Sequence, residues 1–122
     1  MRRCLIIDDS PIIRRVARTL LERMDFVIDE AEAVPEAIER CREEMHDVVL
    51  LDWQLPTTSA IDFLAEMRGS TASARPYIIY CTTANDPLDI SRALNAGADD
   101  YLLKPFVAED LEAKFATIPA AA

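Results

Sequence analysis

Acidic and basic side chains able to bind a metal or a phosphate stand directly after apolar runs of this 122-residue sequence. Asp8 and Asp9 follow "CLII", Asp52 follows "VVLL", and Lys104 follows "DYLL". Three aspartates brought together would repel one another and raise one another's pKa unless a cation lay between them. Mg²⁺ suits such hard oxygen ligands, because it takes one or two carboxylates, keeps several waters and accepts phosphate oxygens. We therefore expect Asp8, Asp9 and Asp52 to bind Mg²⁺.

A hydroxyl group completes the set of candidate residues. The run "YIIYC" is followed by Thr82 and Thr83, and alternation along a strand would bury one of them and turn the other toward the remaining candidates. A metal, a carboxylate nucleophile, a lysine and a hydroxyl are the groups that stabilise charge on a phosphoryl group passing to an aspartate. This chemistry predicts that Asp52 is the phosphoryl acceptor.

The elements that would position these residues alternate along the chain. Apolar runs of strand length are each followed by a segment with apolar residues at helical spacing. Ser10 before Pro11 is typical of a helix start, because the hydroxyl caps a free backbone N–H and proline lacks the N–H that a first turn leaves unbonded. The predicted strands are "RCLIID", "FVIDEA", "DVVLLD", "PYIIYCT" and "DDYLLK", and the predicted helices are "SPIIRRVARTLLERM", "VPEAIERCREEM", residues 59–68, "DPLDISRALNAG" and "VAEDLEAKFATI".

This alternation predicts an α/β fold, namely a doubly wound, five-stranded parallel sheet with helices on both faces. Right-handed crossovers bring the carboxyl ends of all the strands to one edge of such a sheet. Open α/β sheets bind their ligands at that edge. The candidate residues that end the strands are therefore predicted to share one crevice.

Composition excludes several classes of protein. The length predicts one domain over residues 1–122. The net charge of −9 argues against binding to nucleic acid. The apolar runs are too short for a signal peptide or a membrane span, so we expect a cytoplasmic protein with no membrane association. Cys4, Cys41 and Cys81 are widely spaced, which predicts buried reduced thiols rather than a zinc site, and His46 is predicted on the surface in a polar turn.

Motifs at the strand ends resemble those of a known family. They are "IIDDS", "LLDWQLP", "CTTAND" and "AGADDYLLKPF", and their order and spacing over essentially the whole chain are similar to those of response-regulator receiver domains. The resemblance implies a flavodoxin-like strand order of 2-1-3-4-5. It also implies that the protein is a phosphoryl-accepting signalling switch of a two-component system, with Mg²⁺ as its cofactor.

The resemblance assigns a role to each acidic residue of the site. Asp52 resembles the phosphoacceptor of the family. Asp9 resembles the direct metal ligand, and Asp8 a ligand that acts largely through a bound water. The backbone carbonyl of Gln54 is expected to complete the protein's share of the Mg²⁺ shell.

The remaining roles concern the phosphoryl group and the switch. Thr83, just before Ala84, matches the hydroxyl that moves to bond a phosphoryl oxygen, and Lys104 matches the lysine that neutralises another. The bond between Lys104 and Pro105 is typically cis in this family, which aims the lysine inward. Tyr101 matches the aromatic residue that turns inward when the threonine moves.

The family resemblance implies a switch rather than an enzyme, with self-phosphorylation from a phosphodonor and slow self-dephosphorylation as its own reactions. Gln54 and Asn85 occupy the positions that tune this hydrolysis, and their neutral amides orient water but are poor bases. The implied donor is a sensor histidine kinase or a histidine phosphotransfer protein, docking near Arg14 and Arg18 of the first helix. We expect a stand-alone domain of the chemotaxis type, whose fourth helix, fifth strand and fifth helix are read by an unknown downstream protein.

Two other classes of protein share parts of this pattern. A haloacid-dehalogenase-type phosphatase also forms an aspartyl-phosphate with Mg²⁺, but its D-x-D motif would need an aspartate where Gln54 stands. A phosphorylation-independent pseudo-receiver or ligand-controlled adaptor is the alternative, against which the intact acidic site argues. The chain also departs from the family at Ala60, where most relatives have a glycine, and alanine would be strained at a positive φ.

Overall fold

The computed structural model describes residues 2–52, 55, 60–69, 76–82, 87–104 and 106–119. Strands and helices alternate along them, and every predicted element is present with bounds within two residues of those expected. The strands are β1 (Arg3–Ile7), β2 (Val27–Ala31), β3 (Val48–Asp52), β4 (Tyr77–Thr82) and β5 (Asp100–Leu103). The helices are α1 (Pro11–Glu22), α2 (Val34–Glu43), α3 (Ala60–Gly69), α4 (Pro87–Ala96) and α5 (Ala108–Ala116).

The strands form one parallel sheet in the order β2-β1-β3-β4-β5, which confirms the predicted topology. β3 lies at the centre, and all of its residues are buried because helices cover both of its faces. This explains why β3 is a continuous apolar run rather than an alternating one. Among the described residues, no helix is both long enough and apolar enough to cross a membrane.

Helices pack on both faces of the sheet. Neighbouring residues of β3 point to opposite faces, so that Leu50 and Leu51 belong to two different hydrophobic clusters. One cluster joins the sheet to α1 and α5, and the other joins it to α2, α3 and α4. The buried helix residues are Ala17, Leu21, Leu111 and Phe115 in the first cluster and Val34, Ala37, Cys41, Ala60, Phe63, Leu64, Met67 and Ala93 in the second.

The strand register aligns the candidate residues at the carboxyl edge of the sheet. Ile7 pairs with Leu51, so the residues that follow them, Asp8 and Asp52, lie side by side. On the other side of β3, the amide of Lys104 donates to the final carbonyl of β4 at 2.8 Å. The ends of β1, β3 and β5 are therefore level with one another, as a shared crevice requires.

A tight turn joins β1 to α1. The hydroxyl of Ser10 accepts a hydrogen bond from the amide of Ile13 at 3.3 Å, and Pro11 is the first residue of the helix. Both features confirm the predicted helix start. The turn holds the two aspartates that follow β1 directly against the edge of the sheet.

The three cysteines are all buried and free, as predicted. Burial raises the pKa of Cys41 to about 11, and it raises the pKa of Cys4 and of Cys81 as well. The thiols are therefore protonated at neutral pH and act as small apolar groups in the core.

Ala60 is the first residue of α3, and its methyl group is buried together with Phe63 and Leu64. The expected strain at this position is absent, because among the described residues other than glycine a positive φ occurs at Asp25 and not at Ala60. The side chain that a glycine would lack here contributes to packing between α3 and the sheet.

His46 is buried, and the prediction of a surface position was wrong. Its side chain lies near the amino edge of the sheet, with Nε2 2.7 Å from Oδ2 of Asp29 on β2. An ionised carboxylate only accepts hydrogen bonds, so Nε2 carries the proton. Arg3 donates to the same carboxylate oxygen at 2.9 Å. A polar partner on another strand thus makes burial of the histidine possible.

The first prediction concerns Asp29. Burial alone would raise its pKa, but hydrogen bonds from His46 and Arg3 outweigh burial and hold the pKa below its usual value. A depressed pKa means that the ionised carboxylate stabilises the fold above pH 4 and that this contribution disappears as pH falls through the folded-state pKa. We expect Asp29→Asn to lower the free energy of unfolding by about 1–3 kcal/mol at pH 7 and by less near pH 3, where the unfolded carboxyl is already mostly protonated.

Urea unfolding at the two pH values measures this difference. Glu112→Gln makes the same exchange of carboxylate for amide at an exposed position of α5 and should have little effect at either pH. An equal loss of stability by Asp29→Asn at both pH values would contradict the role given to the Asp29 charge.

Candidate functional site

Three carboxylates meet at the carboxyl edge of the sheet, as the strand ends predicted. One oxygen atom from each of Asp8, Asp9 and Asp52 lies within 4.8 Å of the other two. The side chains of Asp8 and Asp52 are buried, whereas that of Asp9 is exposed to solvent. The cluster, called the acidic pocket below, thus has two enclosed carboxylates and one that faces solvent.

Lys104 supplies a positive charge to this cluster. Its Nζ lies 2.7 Å from Oδ2 of Asp8 and 3.2 Å from Oδ1 of Asp52. Burial would lower the pKa of Lys104, but its hydrogen bond to Asp8 and the charges of Asp52 and Asp8 outweigh burial and raise it. The ammonium therefore stays charged and offsets part of the repulsion between the two buried carboxylates.

The geometry of Asp8 shows how the cluster is anchored. Its amide donates to the carbonyl of Ala31 on β2 at 3.1 Å, which fixes the backbone just after β1. Its Oδ1 accepts from the amide of Ser10 at 2.9 Å, while Oδ2 accepts from Lys104. Both oxygens of Asp8 are thus bonded within the protein, which fits the expectation that Asp8 approaches a metal largely through water.

The donor set fits Mg²⁺. Carboxylate oxygens are hard ligands, and a divalent cation beside Asp8, Asp9 and Asp52 would remove the repulsion that remains after pairing with Lys104. The nearest soft donor on the neighbouring strand is Cys81, which pairs in register with Asp52. Burial raises the pKa of Cys81, so its thiol is neutral and does not favour a thiolate-binding metal.

Tyr101 lies on β5, half-buried against the cluster that packs under α4. The ammonium of Lys114 on α5 is 4.6 Å from the centre of its ring, a cation–π distance. The same ammonium is 3.0 Å from Oδ1 of Asp100. Tyr101 therefore contacts α5 through Lys114 and packs against the cluster to which Ile90 and Ala93 of α4 also belong. Its role as a switch residue stays a prediction.

Arg14 and Arg18 are engaged within the protein rather than free for a partner. Both donate to the carboxylate of Glu30 on β2, at 2.9 and 2.6 Å. Arg14 also donates from Nη1 to the backbone carbonyl of Asp8 at 2.6 Å. This bond was not predicted from the sequence. The sequence shows two arginines one helical turn apart and a second strand that contains acidic residues. This pattern does not identify a backbone carbonyl as the partner of Arg14.

Several predicted site residues lie outside the described residues. They are Gln54, with its backbone carbonyl as a metal ligand and its side chain as a rate-tuning group, Thr83, Asn85 and Pro105. Their assigned roles stay predictions. Asp8, Asp9, Asp52 and Lys104 are described, and the structure brings all four together.

A family model described as "Response regulator receiver domain" matches residues 4–116 of the chain. Chemotaxis protein CheY of Halobacterium salinarum is 35% identical over 105 residues, which are 86% of this chain and 86% of that protein. The phosphate regulon transcriptional regulatory protein PhoB of Escherichia coli is 32% identical over 117 residues, which are 96% of this chain but 51% of PhoB. The chain thus spans about half the length of PhoB and of other curated relatives that it matches.

Solved structures of such proteins superpose closely on the chain. A two-component response regulator from Clostridium difficile has a TM-score of 0.88 and 31% identity, covering 97% of this chain and 95% of its own. Chemotaxis response regulator CheY4 of Vibrio cholerae has a TM-score of 0.90, covering 98% of this chain and 99% of its own. At 24% identity, the second comparison supports the fold alone.

The second prediction concerns competition at the acidic cluster. The ammonium of Lys104 contacts the same carboxylates that would hold Mg²⁺, so its removal should make the site more negative and tighten Mg²⁺ binding. Because one unit charge at about 4 Å is worth several kcal/mol at an effective dielectric constant near 20, we expect Lys104→Met to lower the Kd for Mg²⁺ at least about threefold.

Isothermal titration of the folded variant with MgCl₂ measures the Kd. Lys114→Met removes the only other lysine of the chain, which lies on α5 beside Asp100, and should leave the Kd unchanged. Weaker or unchanged Mg²⁺ binding by Lys104→Met would contradict a competition for Asp8 and Asp52.

Proposed function

The chain belongs to the response regulator receiver domain family, and from this premise we propose that it is a Mg²⁺-dependent signalling switch that accepts a phosphoryl group on Asp52. The observation that carries the proposal is the meeting of three carboxylates with the ammonium of Lys104. Asp52 ends the central strand beside Asp8 and Asp9, and Lys104 lies 3.2 Å from one of its oxygens. This arrangement combines a nucleophile, a cation site and a fixed positive charge.

The transfer is a displacement at phosphorus. A carboxylate oxygen of Asp52 attacks the phosphoryl group of a phosphohistidine or a small phosphodonor. The new O–P bond forms as the bond between phosphorus and the leaving group breaks, and the leaving group keeps that electron pair. The imidazole released from a phosphohistidine takes a proton from solvent, whereas the acetate released from acetyl phosphate stays ionised. Lys104 then pairs with an oxygen of the phosphoryl group, for which its raised pKa keeps it charged.

The metal site of the proposal consists of Asp8, Asp9, Asp52 and the backbone carbonyl of Gln54. Bound Mg²⁺ would supply positive charge to the oxygens of the transferring phosphoryl group. Asp9 is the exposed member of the cluster, which suits a direct ligand that must exchange water for metal. Asp8 is held by Ser10 and Lys104, which suits contact through water.

The proposed donor is a sensor histidine kinase or a histidine phosphotransfer protein. Exposed apolar side chains support a docking surface beside the acidic pocket. Ile12 and Val16 project from α1, where Ile12 is 76% exposed, and Val107 precedes α5 on the same face of the sheet. Because Arg14 and Arg18 are paired with Glu30, the proposed contact with the donor is mainly apolar on the described part of α1.

The proposed output is a change at α4, β5 and α5. A phosphoryl group brings about two negative charges and new acceptor oxygens to Asp52. Thr83 would move inward to bond it, and Tyr101 would fill the space vacated beneath α4. The surface around Ser91, Arg92 and Phe106 would then be read by a downstream protein. Phosphorylation can tip this balance only if the two states lie within a few kcal/mol of each other.

We propose that the protein catalyses only its own phosphorylation and the slow hydrolysis of its own phosphoryl group. The side chains of Gln54 and Asn85 would orient the attacking water. As neutral amides they would neither block the reaction nor act as strong bases. The phosphorylated protein would therefore carry the signal for a time between those of receiver domains that lose the phosphoryl group fast and those that lose it slowly.

The third prediction tests the acceptor. Acetyl phosphate with Mg²⁺ should add one phosphoryl group to the wild type, and Asp52→Asn should abolish the addition because an amide is not a nucleophile here. Intact-protein mass spectrometry measures the product, and EDTA should prevent it. Asp62→Asn on the exposed side of α3 is the matched control and should be labelled like the wild type. Labelling of the Asp52→Asn variant would refute the assignment, and an unlabelled wild type would favour a phosphorylation-independent adaptor.

The fourth prediction tests the route of the signal. Beryllofluoride, a mimic of the phosphoryl group, should shift amide resonances of α4, β5 and α5 in the wild type. In Thr83→Ala the shifts at α4 should be largely lost, since the hydroxyl that couples the site to Tyr101 is missing. Thr19→Ala removes an exposed hydroxyl from α1 and should keep the wild-type response. Wild-type shifts at α4 in Thr83→Ala would mean that the signal leaves by another face.

A further inference from the structure

Arg14 contacts the acidic pocket through the backbone rather than through a carboxylate. Its side chain is 11% exposed, and Nη1 donates to the carbonyl oxygen of Asp8 at 2.6 Å. We propose that Arg14 is a positioning residue that holds the peptide between Asp8 and Asp9 and so places the carboxylate of Asp9 for Mg²⁺. This inference rests on the metal site of the proposed function.

The hydrogen bonds of the turn between β1 and α1 support this role. Arg14 bonds the carbonyl of Asp8 with its side chain and the carbonyl of Ser10 with its amide, at 2.6 and 3.1 Å. These are the carbonyls on either side of Asp9. The side chain of Asp9 is exposed and makes no hydrogen bond to any described residue. The place of its carboxylate is therefore set by the backbone. The amide bond to Ser10 is the ordinary bond of a first helical turn, so the side-chain bond to the carbonyl of Asp8 is the contact that is specific to arginine.

The guanidinium of Arg14 is itself oriented by β2 and the residue that follows it. Nε lies 2.9 Å from Oε1 of Glu30, and Nη2 lies 3.4 Å from Oε1 of Glu32. Burial would raise the pKa of Glu30, but hydrogen bonds from Arg18 and Arg14 outweigh it and keep that carboxylate ionised. Glu30 and Glu32 neutralise the positive charge of Arg14. Arg14 therefore acts on the pocket mainly by fixing the position of the backbone and less through its charge. A planar guanidinium with fixed donor directions suits this task.

Arg18 provides a matched comparison on the same helix. It lies one turn beyond Arg14 and donates from Nη1 to the other oxygen of Glu30 at 2.6 Å. Its Nε contacts Glu22 at 3.4 Å. Arg18 therefore shares the acidic partner of Arg14 but has no bond to the turn that carries Asp9. Loss of Arg18 should loosen the pairing between α1 and β2 and leave the metal ligands in place.

The test compares Mg²⁺ binding in the wild type and three variants by isothermal titration, with urea unfolding of each protein as the measure of stability. We expect Arg14→Ala to raise the Kd for Mg²⁺ about tenfold, since groups that orient metal ligands are typically worth that much in affinity. Arg18→Ala should change the Kd by less than about twofold, because a partly exposed ion pair remote from the ligands contributes little. Both variants should lose stability.

Arg14→Lys separates geometry from charge and remains informative if Arg14→Ala does not fold. A lysine keeps the positive charge, but its single ammonium cannot bond Glu30 and the carbonyl of Asp8 in the two directions that the guanidinium reaches. We expect its Kd to stay well above that of the wild type. Faster amide hydrogen exchange at Ser10 in the Arg14 variants, but not in Arg18→Ala, is the expected sign of a loosened turn in the metal-free protein.

The outcomes distinguish the role of Arg14 from the proposed Mg²⁺ site. A wild-type Kd in folded Arg14→Ala or Arg14→Lys would overturn the role of Arg14, and so would equal weakening by Arg18→Ala, which would indicate general loosening of α1. A wild type that binds no Mg²⁺ would overturn the proposed metal site itself and this inference with it. Binding by the wild type with no effect of Arg14 would overturn this inference alone.

Discussion

Repulsion between carboxylates at the edge of the sheet is the constraint on which the site depends. Buried charges are costly unless they are paired, and breaking a buried pair costs several kcal/mol. Asp8 and Asp52 are both buried, and Lys104 bonds the first at 2.7 Å from a position 96 residues further along the chain. The ends of β1, β3 and β5 must therefore converge for the fold to tolerate these aspartates. The same convergence leaves a pocket with residual negative charge, which is suited to a divalent cation.

Charged side chains are paired differently at the amino edge and at the carboxyl edge of the sheet. At the amino edge, His46 and Arg3 satisfy Asp29, and Arg68 at the end of α3 donates to Asp99 and to the carbonyl of Gly97. Charges of opposite sign are matched there, which ties helices to strands. At the carboxyl edge, carboxylates outnumber the ammonium beside them. The charges at the amino edge are thus paired within the protein, whereas the carboxyl edge keeps a residual negative charge after pairing with Lys104, which a cation would neutralise.

Contacts between side chains and backbone link this edge to the helices around it. Arg14 connects the turn after β1 to β2, and Lys114 connects α5 to Tyr101 and Asp100 on β5. Charge added at Asp52 would act first on Lys104, which directly precedes the segment leading to α5. The proposed switch therefore needs no long path, because the strand ends, α5 and Tyr101 are adjacent.

The sequence by itself determined the fold and the acidic core of the site. Alternating apolar runs and amphipathic segments specify a parallel sheet, and in such a sheet residues that follow the strands must meet, so Asp8, Asp9, Asp52 and Lys104 were predictable. Only the tertiary structure decided that His46 is buried and that Arg14 bonds the carbonyl of Asp8. The physical reason is that burial of a polar group depends on its partners, and the partners of these residues lie on other segments of the chain. The local sequence pattern indicates the periodicity of each segment and the ends of the strands, but it does not indicate which side chains from distant segments come into contact.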